Sequence, residues 1–169
     1  MKKFLKHQLS SHAVPAMIAL AVFVTRGGVL PPNVSPLGVS GFISKRLMWF
    51  FLGILAFDFL HGGFYPGVLL TYLGFACYPL IGRLAGESLR RQALFLPIAS
   101  LLFFLLSNFG VWLFWYPRTL EGLLLCYTLA LPFYRNTVLS DVGFFAAAVG
   151  IRYLVARAQK FTTKEFFAT

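Results

Sequence analysis

The chain has 169 residues, of which 59% are hydrophobic and 12% charged, with a mean hydropathy of +0.77 and a formal net charge of +10. Soluble domains average about 25% charged residues and disordered chains are poor in apolar side chains, whereas this chain is 18% aromatic, so both classes are excluded. What remains is an integral membrane protein: one compact domain over 1–169, with room for about six spans of roughly 20 residues each.

In chain order, Lys2, Lys3 and Lys6 precede an apolar run over 9–24. That is the layout of a secretory signal, with Ala19 and Ala21 in an A-x-A pattern, but Val22, Phe23 and Val24 continue the run past that point, so an uncleaved first span is expected. The second segment, 34–44, is short and lies among Pro31, Pro32 and Pro36; a third follows Lys45 and Arg46 over 47–60. The fourth, 65–81, belongs to a stretch containing Gly67, Gly74 and Gly82, and small residues allow close helix approach in lipid. The fifth covers 93–115. Residues 120–133 make about two-thirds of a span and end at Pro132 and Phe133; they are expected to lie as an apolar segment on the outer face, before a last span over 138–155.

Lysine and arginine orient these segments, because short cytoplasmic loops carry the excess of both. With the amino terminus cytoplasmic and the Pro-rich second segment counted as a crossing, 12 of the 15 basic residues fall inside, leaving Arg26, Arg118 and Arg135 outside. Merging 37–60 into a single span would put Arg83, Arg90, Arg91 and the basic tail outside, against the bias. The expected fold is therefore all-α, a polytopic bundle of six transmembrane helices with both termini cytoplasmic. Trp49, Trp112, Trp115 and Tyr116 fall where interfacial aromatic belts lie. Glu87 and Glu165 fall inside and Asp58, Glu121 and Asp141 at or near the outer face, so the whole net charge reports orientation.

Polar residues at membrane depth are costly and face a bundle interior or a cavity. They gather towards the outer ends, beside the two Pro-interrupted segments, and broken segments are tolerated where they line a cavity. The candidate substrate-binding set is Arg26, Asn33, Asp58, Asn108, Trp112, Tyr127, Arg135 and Asp141. Asn and Tyr would supply oriented hydrogen bonds, Trp112 a stacking wall, and the arginines charge for an anion, since guanidinium binds carboxylate or phosphate bidentately. An equally good account has Arg26, Arg118 and Arg135 simply neutralising Asp58, Glu121 and Asp141.

Enzyme chemistry is not expected. The two aspartates lack the G-x-G-D context of aspartyl intramembrane proteases, and Gly38, Val39, Ser40 and Gly41 fall short of a G-x-S-x-G elbow. His7, His12 and His61 form no facing pair for haem, and no phosphate loop or metal-ligand spacing occurs. Cys77 and Cys126 sit in apolar runs without C-x-x-C spacing and read as packing residues. No cofactor and no nucleic-acid partner is expected.

Several stretches together resemble a family of small bacterial membrane proteins of unknown function. They are Arg26 with Pro31 to Pro36, Asp58, Tyr72 to Phe75 with Gly82 and Arg83, and Ser107 to Trp112. The resemblance continues through Tyr116 to Thr119, Gly122, Cys126 and Tyr127, Leu131 to Thr137, and Asp141. That family in turn resembles the substrate-capture (S) components of energy-coupling factor transporters, six-helix vitamin-uptake proteins with both termini cytoplasmic. In biotin-type members a Pro-Phe followed by an Asp precedes the last helix, an arrangement that Pro132, Phe133 and Asp141 resemble, although the Asp lies further along here. The resemblance implies a vitamin-like ligand held near the outer face, beside the anionic metabolite that the arginines suggest, a bacterial cytoplasmic membrane location, and a transmembrane coupling protein with ATPases as partner. The A-x-x-x-A pattern by which many S components dock is absent from Ala13, Ala16, Ala19 and Ala21. The expected function is small-molecule uptake; the alternative is a structural or assembly protein that contacts another membrane protein and binds no ligand.

Overall fold

A computed structural model describes residues 16–25 and 30–166, with side chains described as far as 157. The described residues form six helices and no strand: α1 (Ala16–Thr25), α2 (Leu37–Ser44), α3 (Leu47–His61), α4 (Val68–Ala85), α5 (Leu89–Trp115) and α6 (Leu120–Phe166). Three of them, α4, α5 and α6 over Leu120–Arg157, are long and apolar enough to cross a membrane. Their outward faces are lined with leucines such as Leu69, Leu84 and Leu124, which are 74%, 65% and 60% exposed. Such a surface would drive association in water and costs nothing against lipid tails.

The three long helices form an antiparallel series. Gly67 lies against Gly110 and Gly74 against Phe103, so α4 and α5 touch nearly backbone to backbone where side chains are missing. α5 and α6 form a hairpin tied by Tyr127 Oη donating to Leu105 O at 2.7 Å and Cys126 Sγ to Asn108 O at 3.6 Å. The turn between them is closed by Trp112 Nε1 donating to Pro117 O at 3.0 Å and Arg118 Nε to Leu113 O at 3.2 Å. Thr119 then caps α6, its Oγ1 accepting from the Gly122 N–H at 3.1 Å.

Helix α6 corrects the expected segmentation. Residues 120–133 are not a separate outer-face piece but the first turns of one 47-residue helix that also contains 138–155. Pro132 does not end it, just as Pro79 and Pro97 do not end α4 and α5. A membrane helix tolerates an internal proline because neighbouring helices and local adjustments satisfy the freed carbonyl.

The short helices pack along this frame. Gly38 faces Tyr78 and Gly82 faces Phe42, so α2 runs parallel to α4. A Cβ on Gly82 would stand 2.1 Å from Phe42 O, which makes glycine a condition of this approach. At 8 residues α2 is about 12 Å long, far short of a ~30 Å hydrocarbon core. The irregular segment 30–36 extends its path to the far end of α4, where Asn33 shares a cavity wall with Tyr65 and Thr71. Lys45, in left-handed conformation (φ 56°), reverses the chain into α3, and Ile18 and Val22 of α1 cluster with Leu37, Phe50, Ile54 and Tyr72.

One end of the bundle collects basic residues. Lys45 Nζ donates to Gly86 O at 2.8 Å and pairs with Glu87, while Arg83 Nε donates to Lys45 O at 3.0 Å. This joins the α2–α3 and α4–α5 turns, which also carry Arg46, with Arg90 and Arg91 opening α5. The Lys45 ammonium holds the Glu87 carboxyl below the usual carboxylate range.

Candidate functional site: a polar cavity between the short and long helices

The opposite half of the bundle contains a cavity of about 500 Å³ and a neighbouring one of about 320 Å³. They share Asn33, Phe103 and Thr137 as lining. Segment 30–35 with Thr25 and Gly38 walls the first on one side, and Phe75, Tyr78, Phe103, Thr137 and Asp141 of the long helices wall it on the other. The second adds Tyr65, Thr71, Ser107, Asn108 and Tyr134.

The irregular wall is held by a serine pair. Ser35 N–H donates to Ser140 Oγ at 2.7 Å, and Ser140 Oγ donates back to Ser35 O at 3.0 Å. Asn136 Nδ2 donates to Pro32 O at 3.3 Å, and the Ser35 hydroxyl is shared with Thr25 Oγ1 at 2.8 Å and with the Leu37 N–H at 3.0 Å. These bonds satisfy backbone groups that no helix serves, the condition for irregular chain inside a membrane protein. Asn33 sits between them with φ 61°, a left-handed conformation that asparagine adopts more readily than most residues.

Asp141 forms the floor. It is 2% exposed, and its Oδ2 accepts from Tyr78 Oη and from Ser100 Oγ, each at 2.6 Å. Gly38 makes this possible, since a Cβ there would stand 2.5 Å from the Tyr78 ring. Ser100 lies midway along α5, so Asp141 sits in the middle of the bundle and not at the outer face expected for it. The displacement follows from α6 beginning at Leu120, some 21 residues before Asp141.

Of the expected site residues, the structure brings Asn33, Asn108 and Asp141 to the two cavities. Asn108 Nδ2 donates to Phe104 O of its own helix at 2.8 Å. Trp112 and Tyr127 serve the α5–α6 hairpin and line neither cavity, and Arg135 is exposed. Asp58 is buried under Gly63 and accepts from Tyr72 Oη at 2.6 Å, away from both cavities. Arg26 lies outside the described residues. Among the described residues no arginine pairs with Asp141, and two hydroxyls meet its carboxylate instead.

Tyr78, Ser100, Phe103, Thr137 and the Ser35–Ser140 pair were not expected. Tyr78, Ser100 and Ser140 carry only the signal of a hydroxyl inside an apolar run, weaker than the amide that singled out Asn108, and Phe103, Thr137 and Ser35 carry none. Among the described residues no group of three His, Cys, Asp or Glu side chains could hold a metal ion.

No curated protein and no solved structure is significantly similar to this chain. Its sequence matches a family profile over residues 6–164, and the chain therefore belongs to the family of unknown function DUF6580.

Proposed function

We infer that the protein is a six-span uptake protein of the bacterial cytoplasmic membrane, which receives a small molecule in the paired cavities from the outer side. The observation that carries the reading is a polar-floored cavity of about 500 Å³, within the range of ligand sites. It opens among irregular chain at the end of the bundle remote from Lys45, Arg83 and Glu87. The positive-inside bias makes the basic end cytoplasmic and the cavity end external. A resemblance to substrate-capture components supports the same arrangement, and a coupling protein with ATPases would then supply energy. Asn33, Asn108, Thr137 and Asp141 would orient the ligand, and Phe75 and Phe103 would wall it.

Thermal unfolding of the protein in nonionic detergent, against a panel of vitamins and metabolites, tests this. A ligand at 100 times its Kd adds about 2.7 kcal/mol, and Asn108→Ala should remove that gain while leaving the unliganded protein folded. A panel without a single stabilising compound would favour the rival role, a scaffold for another membrane protein.

A further inference from the structure

The floor of the larger cavity carries a carboxylate that the described residues only half satisfy. Both hydroxyl donors, from Tyr78 and Ser100, bind the same oxygen, Oδ2. Oδ1 accepts no hydrogen bond from any described residue, although the side chain is buried and lines the cavity. A buried acceptor left without a donor is costly, and an ionised carboxylate at membrane depth more so. The remaining lining strengthens the asymmetry: the described walls contain no lysine or arginine, and three aromatic rings, Phe75, Tyr78 and Phe103, share the space with Asp141. Phe75 and Phe103 stand with ring centroids 4.6 Å apart and Tyr78 and Phe103 6.0 Å apart. Aromatic faces attract cations through the ring quadrupole, and a carboxylate supplies the opposite charge and a strong acceptor.

We propose that the cavity selects a small organic cation, an ammonium or amidinium compound whose N–H donates to the vacant Oδ1 of Asp141 while its carbon skeleton lies among Phe75, Tyr78 and Phe103. This rests on the uptake reading and narrows it from any small molecule to positively charged ones, in place of the anion that the arginines suggested. Tyr78 and Ser100 are positioning residues here: they hold the carboxylate by one oxygen and turn the other to the ligand.

Matched probes decide the matter. Benzylammonium, benzyl alcohol and benzoate share a ring and differ in charge, and their affinities are measurable by thermal shift and calorimetry on the full chain in nonionic detergent. Benzylammonium should bind, with the alcohol and benzoate weaker by at least about tenfold, the worth of one charge-assisted hydrogen bond. Asp141→Asn should erase that preference. If the substituted protein does not fold, the ranking of the three probes on the native chain still decides. Benzoate or benzyl alcohol binding as tightly as benzylammonium would overturn the cation and leave the uptake cavity standing. Binding by none of the three, together with a silent metabolite panel, would overturn both.

Discussion

Helices α4, α5 and α6 have 18, 27 and 47 residues and lean on one another through glycines and hydrogen bonds between helices. Helices α2 and α3 have only 8 and 15 residues, and the chain ahead of α2 is held by single side chains such as Ser140 and Asn136 reaching out from α6. The cavities lie on the seam, with the floor on the long half and part of the wall on irregular chain. The difference teaches a division of labour. Apolar length and close helix contact make a frame, and side-chain bonds to unserved backbone make a wall that encloses space beside it.

The seam is most severely challenged at Gly82. Gly82→Ala would push a Cβ into the backbone of Phe42, where no rotamer change gives relief, and should cost about 1–3 kcal/mol or more in unfolding experiments. Gly143→Ala, which meets nothing within 4 Å, should be neutral or stabilising by up to ~1 kcal/mol. Equal effects at the two glycines would dissolve the distinction between seam and surface.

A smaller change separates floor from frame. Tyr78→Phe keeps the ring against Gly38 and removes one of two donors to Asp141, so it should destabilise the protein by about 1–3 kcal/mol without altering its helix content by circular dichroism.

Much of the frame was legible in the amino-acid order. The run expected over 93–115 reappears within α5, Leu89–Trp115, and the one over 47–60 as the shorter helix α3, Leu47–His61, because apolar stretches have few alternatives to a helix in lipid. Residues 120–133 were misread because Pro132 stops helices in water, and a bilayer weakens that rule. For the site, asparagine and aspartate were visible as costly residues, whereas Ser100 and Thr137 were not. Hydroxyls can turn to a carbonyl of their own helix, as Thr137 does to Phe133 O at 3.1 Å; the one proton of Ser100 has Leu96 O at 3.1 Å as a second acceptor beside the nearer Asp141 Oδ2 at 2.6 Å, so its bond to Asp141 leaves little trace in the sequence. Trp112 and Tyr127 were assigned to a ligand since nothing in their spacing announces a hairpin bond.

The smallest expected effect is at the basic end. Because Lys45 depresses the Glu87 carboxyl, the contribution of that pair is complete above the ordinary carboxylate range and disappears as pH falls through the lowered value. Glu87 is fully exposed and screened by solvent, so Glu87→Gln should leave the unfolding temperature within error at neutral pH. A clear drop would mean that the turns, and not the seam, hold the short helices.

Helix α6 carries Asp141 near its midpoint, 21 residues from Leu120 and 25 from Phe166. At 1.5 Å per residue the stretch beyond Asp141 is a rod about 37 Å long. A tilt of about 10° pivoting at the carboxylate would swing its far tip by roughly 6 Å. The helix that floors the cavity is thus the same rod that reaches the opposite end of the protein.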